Sequence, residues 1–234
     1  MLGFDIVKAI ILSGGMGKRL KPLTDYVPKS LVPVCDVPII EWQIKYFKKF
    51  GIKDIIVCTG HLSKTLTSYL ESKNFGVRIQ YSNEAVPLGT GGAIKKALKY
   101  VDDDNFFVIN GDVITNIDLK KLQTHQNAMA VIPLRTAYGV VHVSGEKVTK
   151  FEEKPEIFNH WMNAGIYYLN KEIIQQLPTK GNIEVTAFPA LAKQGKLHVV
   201  KFINVFWNSV DSHKDIDECV TSMVKTRHEK FLSK

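Results

Sequence analysis

Apolar runs of strand length alternate along this chain with amphipathic stretches of helix length. Residues 8–13 (KAIILS) form a β-branched run that ends at glycines, 54–59 (DIIVCT) and 77–81 read as strands, and 105–110 (NFFVIN) reads as a buried strand. Between them, 39–50 carries Ile40, Ile44, Phe47 and Phe50 at helical spacing and stops at Gly51. Residues 63–71 read as a short helix with Ser63 as its N-cap, and 92–100 (GAIKKALKY) as a further helix. This alternation predicts a mostly parallel sheet covered by helices.

Beyond Asp112 the pattern changes. A helix is expected over 119–126, then strand-like runs over 128–133, 138–143, 148–152 and 161–168, separated by Gly, Ser or Pro. Such a succession points to antiparallel additions. A helix over 185–192, strands over 199–202 and 205–210, and a basic helix over 212–231 complete the expectation. No internal repeat or low-complexity tract interrupts the chain.

Composition narrows the picture only a little. Of 234 residues, 45% are hydrophobic and 23% charged, which excludes disorder and a disulfide-stapled miniprotein. Dividing by roughly 150 residues per domain allows one large domain or two small ones. The three cysteines are widely spaced and include no C-x-x-C, so a zinc cluster is not expected and a reducing cytoplasm suits the chain. The first residues lack the basic segment of a signal peptide, and no stretch of about 18 apolar residues predicts a transmembrane helix. Lys and Arg number 31 against 23 Asp and Glu, a net charge of +8. That excess favours an anionic partner without choosing among nucleic acid, a membrane surface and phosphorylated small molecules.

The densest chemical signal is Ser13-Gly14-Gly15-Met16-Gly17-Lys18-Arg19-Leu20, directly after the first strand. Glycines there let backbone N–H groups approach an anion, at the strand end where open parallel sheets bind ligands. Neither a P-loop nor a G-x-G-x-x-G fingerprint is present, because Leu20 occupies the last glycine position. Two cations, Lys18 and Arg19, lie within the loop instead, and Lys29 follows in a Val27-Pro28-Lys29-Ser30 segment whose proline favours an extended residue 27.

The stretch GGMGKRLKPLTDYVPKSLVPV resembles the signature of sugar-phosphate nucleotidylyltransferases. The matching residues are Gly14, Gly15, Gly17, Arg19, Leu20, Pro22, Leu23, Thr24, Pro28, Lys29, Leu31, Pro33 and Val34. Further matches extend to about Asp215. The resemblance implies an α/β fold, a Rossmann-like three-layer sandwich with a mixed, mostly parallel sheet. It implies a single domain over 1–234, with a nucleotide-binding half at 8–112, a sugar-phosphate half at 113–215 and a closing helix at 212–231. Arg19, Lys29 and Asp112 would be catalytic. Leu12, Ser13, Gly14, Gly15, Gly17, Lys18, Glu84, Pro87 and Gly89 would bind the nucleotide.

Glu84 opens the segment EAVPLGTGGA, which in the family lines the base pocket through close backbone approach at Gly89, Gly91 and Gly92. A carboxylate can accept from both N1–H and N2–H of guanine, whereas uracil and thymine suit a glutamine better, so GTP is favoured. Asn110-Gly111-Asp112 ends the strand 105–110, which puts Asp112 beside the phosphate loop at a position fit for Mg²⁺. Phe151-Glu152-Glu153-Lys154-Pro155 resembles the family's F-x-E-K-P, and Asn163-Ala164-Gly165 its N-x-G. These matches imply sugar contacts from Glu153, Asn163 and Gly165 and a phosphate contact from Lys154.

One segment departs from the pattern. Relatives read W-x-D, with the Asp a metal ligand, whereas Trp207-Asn208-Ser209 places serine there and Asp211 follows two residues later. Three outcomes are open: Asp211 replaces the ligand, Asp112 holds the ion with phosphates and water, or activity is impaired. The expected metal pair is Asp112 and Asp211, with Mg²⁺ the expected cofactor. The implied reaction joins an NTP and a sugar 1-phosphate of mannose or heptose type, giving an NDP-sugar and pyrophosphate. Rivals are transfer of another nucleotide to glucose 1-phosphate, an amino sugar phosphate or phosphocholine, and a sugar-nucleotide-binding homologue with weak catalysis. No nucleic-acid-binding motif accompanies the +8 charge, so nucleic acid is not an expected partner.

Overall fold

A computed structural model describes residues 7–136 and 138–232, with the side chains of Glu229 and Lys230 outside the description. The strands in its first half are β1 (Lys8–Ser13), β2 (Pro33–Val34), β3 (Val37–Pro38), β4 (Asp54–Thr59), β5 (Arg78–Asn83), β6 (Asn105–Asn110) and β7 (Val113–Thr115). Those in its second half are β8 (Ala128–Arg135), β9 (Val140–Ser144), β10 (Lys147–Glu152), β11 (Glu156–Asn170), β12 (His198–Lys201) and β13 (Trp207–Ser209). The helices are α1 (Ile39–Lys49), α2 (Ser63–Glu71), α3 (Gly89–Ala97), α4 (Leu119–Leu122), α5 (Ala187–Lys193), α6 (His213–Thr226) and α7 (His228–Leu232).

Seven strands make the central sheet in the order β12-β8-β11-β6-β1-β4-β5. Every pairing is parallel except the two made by β11, which runs against β6 and β8. Alternation along β1 divides the core into layers, since successive side chains point to opposite faces. Ala9 and Ile11 pack with Ile40, Ile44 and Phe47 of α1 and with Leu66 of α2. Ile10 faces the other way, toward Ala93, Ile94 and Ala97 of α3 and Phe188 of α5. A third cluster joins Leu20, Val32, Val34 and Trp42 to Cys219 and Met223 of α6. The fold is therefore a three-layer α/β sandwich with a mixed, mostly parallel sheet.

The register positions the site. Leu12 pairs with Asn110, Ser13 with Thr59, and Thr59 with Asn83. The carboxyl ends of β6, β1, β4 and β5 thus finish level, and the segments holding Asp112, the glycine loop and Glu84 leave from one edge.

Several local expectations need correction. Ser63 is the first helical residue of α2 and not its cap; Leu62, in a left-handed conformation, holds the cap position and makes no side-chain cap bond. α3 begins at Gly89, because the loop around Gly181 satisfies its first amides, and a 3-10 turn over Leu98–Tyr100 finishes it. The closing helix breaks at Arg227, a left-handed residue between α6 and α7. α6 starts with a capping box: Ser212 accepts from the Asp215 N–H while the Asp215 carboxylate accepts from the Ser212 N–H. β11 runs 15 residues because its first part, beyond the expected 161–168, pairs with the end of β8 across irregularities in register.

Candidate active site

The glycine loop is held by short bonds. Gly17 sits in the left-handed region at φ +60, and a Cβ there would lie 2.9 Å from Thr24 Cγ2 and 3.2 Å from Lys29 Cβ, so a larger residue is excluded. The Thr24 hydroxyl donates to the Gly17 carbonyl at 2.9 Å, and fully buried Leu20 anchors the following turn. From the turn that follows β4, the His61 N–H donates to the Gly14 carbonyl at 3.2 Å. The Asn110-Gly111-Asp112 turn packs equally closely. The Gly111 N–H donates to the Leu12 carbonyl at 3.0 Å, and a Cβ on Gly111 would come within 2.2 Å of that oxygen. Beneath it, buried Gln43 of α1 donates from Nε2 to the carbonyls of Asn110 (2.8 Å) and Val113 (2.9 Å). Asp112 therefore leaves a turn fixed from both sides.

These segments enclose a cavity of about 420 Å³. All the expected nucleotide-side residues line it: Leu12, Ser13, Gly14, Gly15, Gly17, Lys18, Glu84, Pro87 and Gly89. Arg19, Lys29, Asp112 and Asp211 line it too. At its centre Lys29 Nζ lies 2.7 Å from both Asp112 Oδ2 and Asp211 Oδ1, and Arg19 Nη2 lies 2.8 Å from the same Asp211 oxygen. Burial alone would raise the Asp211 pKa, but the hydrogen bond and charge of Lys29, with Arg19 and Ser209, hold it below the ordinary carboxylate range. Ser209 itself, at the end of β13, donates from Oγ to Asp211 Oδ2 at 3.2 Å.

Glu84 stands at the opposite side. Its Oε2 accepts from the Leu88 N–H at 2.8 Å, while Oε1 would lie 3.0 Å from a Cβ on Gly14. Glycine at position 14 thus gives the carboxylate its room. Desolvation raises the Glu84 pKa, against smaller opposing effects of Leu88 and Lys96. The glycines of α3 behave differently from expectation. Gly91 and Gly92 make room for residues 178–181, and their N–H groups donate to the Gly181 carbonyl at 3.0 and 3.2 Å. Close approach at these two positions serves the protein itself, and those amides are not turned to a ligand.

The residues expected to hold the sugar phosphate stand apart from this cavity's lining. Asn163 accepts from the Gly165 N–H at 2.9 Å and donates to the Tyr167 hydroxyl at 2.8 Å. Gly165 lies directly against the Asn110 side chain. Glu153 and Lys154 are exposed at the end of the β9–β10 hairpin, with Lys154 in a left-handed conformation.

The sequence reading missed Ser30, Thr90, Ala93, Asn110, Gly111 and Asn182, which also line the cavity. Ser13 Oγ, Ser30 Oγ and Asn110 Oδ1 are buried with no hydrogen-bond partner in the protein, as expected of a wall that meets a polar ligand. Asn182 had one weak signal, the Gly181-Asn182 turn dipeptide. It reaches the cavity because Gly181, Asn182 and Glu184 bond to Leu88 and Thr90, across more than 90 residues of sequence.

Among the described residues, no group of three or more His, Cys, Asp or Glu is placed to hold a metal, and no helix is long and apolar enough to cross a membrane. Two carboxylate oxygens around one cation do occur, and Lys29 Nζ marks where a small cation can serve both. Such a pair suits Mg²⁺, which is commonly bound by one or two carboxylates plus substrate phosphates and water.

A sequence model of the nucleotidyl transferase family matches residues 8–225. The D-glycero-alpha-D-manno-heptose 1-phosphate guanylyltransferase of Campylobacter jejuni is 38% identical over 172 residues, covering 71% of this chain and 77% of the relative. The mannose-1-phosphate guanylyltransferase catalytic subunit beta of Xenopus tropicalis is 33% identical over 225 residues, covering 89% of this chain. The chain spans 62% of that relative's length. Among solved structures, HddC from Yersinia pseudotuberculosis complexed with GMP-PN superposes with a TM-score of 0.73 at 25% identity, covering 93% of this chain and 99% of that one.

Proposed function

The chain belongs to the nucleotidyl transferase family, and from that premise we propose that it transfers the nucleotidyl group of an NTP, with GTP favoured, to a sugar 1-phosphate of mannose or heptose type. The observation that carries this reading is one cavity lined by the glycine loop, Glu84, three cations and two carboxylates. The guanylyltransferase relatives support the choice of base and sugar class.

In the reaction an oxygen of the sugar phosphate attacks the α-phosphorus in line. The bond from that phosphorus to the bridging oxygen breaks, and pyrophosphate leaves with the bond's electron pair. The nucleophile is already an anion, so no Ser, Cys or His nucleophile is needed, and catalysis is positioning plus charge neutralisation. We assign Arg19 to the departing phosphates, Lys29 to the α-phosphate and Lys154 to the incoming phosphate, with Glu153, Asn163 and Gly165 on the sugar. Asp112 and Asp211 would hold Mg²⁺, which supplies neutralising charge between the phosphates when bound. Glu84 would accept from the guanine edge. Its Oε2 keeps a second lone pair beside the Leu88 bond, and Oε1 is turned toward Gly14.

The central sheet takes strands from both halves of the chain, which supports a single catalytic unit. The reading also puts the enzyme in the cytoplasm, where its three cysteines stay reduced. Ser209 alone favours a second reading, a sugar-nucleotide-binding homologue with little turnover.

A pyrophosphate-release assay tests the assignment. Lys29→Ala and Asp112→Ala should each lose about 10²–10³ in rate, as expected for removing one contact that stabilises developing charge. Near-wild-type turnover in either variant would sink that residue's role, and no turnover in the wild type with Mg²⁺ would favour the second reading.

A further inference from the structure

The four charges at the cavity centre are not equally shared. Asp112 receives one cation, Lys29. Asp211 receives two on a single oxygen, Lys29 at 2.7 Å and Arg19 at 2.8 Å. Those are the two cations that the proposed function gives to the triphosphate. Asp211 is held in this pose by its surroundings. Its N–H donates to Asp215 Oδ2 at 3.0 Å, inside the capping box of α6, and Ser209 donates to its second oxygen. It sits beyond the end of β13, two residues past Ser209, and from there it reaches the glycine loop.

A guanidinium or ammonium that neutralises a carboxylate is less available to a phosphate. A triphosphate arriving alone must compete with Asp211 for Arg19 and Lys29, and it meets two carboxylates nearby. A divalent cation arriving alone meets the Lys29 ammonium between those carboxylates. When both arrive together the partners can exchange, carboxylates to the divalent cation and Lys29 and Arg19 to phosphate, so that each of these four side chains keeps a partner of opposite charge.

We propose that Asp211 is a positioning residue that sequesters Arg19 and Lys29 until a divalent cation engages its carboxylate, so that metal and nucleotide bind with positive coupling. The inference rests on the reading of this cavity as an NTP site. Reciprocity follows from thermodynamic linkage: whatever factor the metal adds to nucleotide affinity, the nucleotide adds to metal affinity.

The test is calorimetric titration of the intact chain with GTP, without sugar phosphate, in EDTA and in Mg²⁺. Asp211→Asn should bind GTP on the order of tenfold more tightly than wild type in EDTA, with the Mg²⁺ enhancement reduced. Asp112→Asn frees only Lys29 and should gain less. On an Arg19→Ala background, Asp211→Asn should tighten metal-free GTP binding less than it does in the wild-type chain, which a merely structural role for Asp211 would not predict. Asp211→Ala, with a melting curve for each variant, guards against misfolding as the cause. Unchanged or weaker metal-free binding by both folded Asp211 variants would overturn the inference. Failure of the wild-type chain to bind any nucleoside triphosphate would overturn the parent reading and this inference together, a result distinct from equal binding.

Discussion

The glycine loop and the β9–β10 hairpin both carry family motifs, yet they are built in opposite ways. The loop is tied down by Thr24, His61 and Leu12 and closes on fully buried Leu20. Among the described residues the hairpin strands pair only with each other, in a two-stranded sheet. Its cross-strand pairs Val143–Val148 and Val141–Phe151 put four apolar side chains on one face, with exposures from 46% to 67%. Its polar side chains are occupied with one another, as in the hydrogen bond between Glu152 and His142 and the ion pair of Glu152 with Lys150. The segments proposed to bind the nucleotide are thus organised before any ligand arrives, while Lys154, proposed to hold the incoming phosphate, sits at the end of an exposed arm. A two-stranded hairpin without a covering layer has little stability of its own. Rigid placement is therefore present where the triphosphate would be aligned and absent where the sugar phosphate would be received.

The contrast can be broken by substitution. Leu20→Ala should destabilise the fold by about 2–5 kcal/mol, the usual cost of emptying a buried leucine site. Val143→Ala on the arm should stay within about 0.5 kcal/mol, as for an exposed residue. Denaturant melts of the two variants compare them directly, and similar losses would mean that the arm is packed as firmly as the loop. An effect between these is expected from Lys154→Ala: KM for the sugar phosphate should rise about fivefold, with KM for the nucleotide unchanged, since one exposed charge contact is lost. An equal rise in both would place Lys154 in the nucleotide site and remove the distinction.

The same contrast explains what the sequence made legible. β1, β4 and β6 match their expected bounds because buried parallel strands read as short apolar runs bounded by glycine or polar residues. α1 ends one residue before its expected limit because its buried face keeps the helical period. That the residues of the glycine loop share one cavity was readable because one continuous segment carries most of them. The early part of β11 was not, since its exposed polar residues lack an apolar period. Asn182 and the N-terminal turn of α3 were not legible either, because the Gly181 and Asn182 bonds that define them join segments about 90 residues apart. Asp211 was legible only as a departure from a pattern. Its grip on both Arg19 and Lys29 needed the fold, which brings β13 beside β7 and so next to the Asp112 turn.

The central claim is that Glu84 and the glycine loop make this cavity a guanine nucleotide site serving a sugar 1-phosphate. The most direct measurement is initial pyrophosphate release with mannose 1-phosphate or a heptose 1-phosphate as acceptor, with GTP and UTP supplied at equal concentration in separate reactions. The account predicts a higher kcat/KM for GTP, with the preference shrinking in Glu84→Gln. A preference for UTP in the wild-type chain would contradict it.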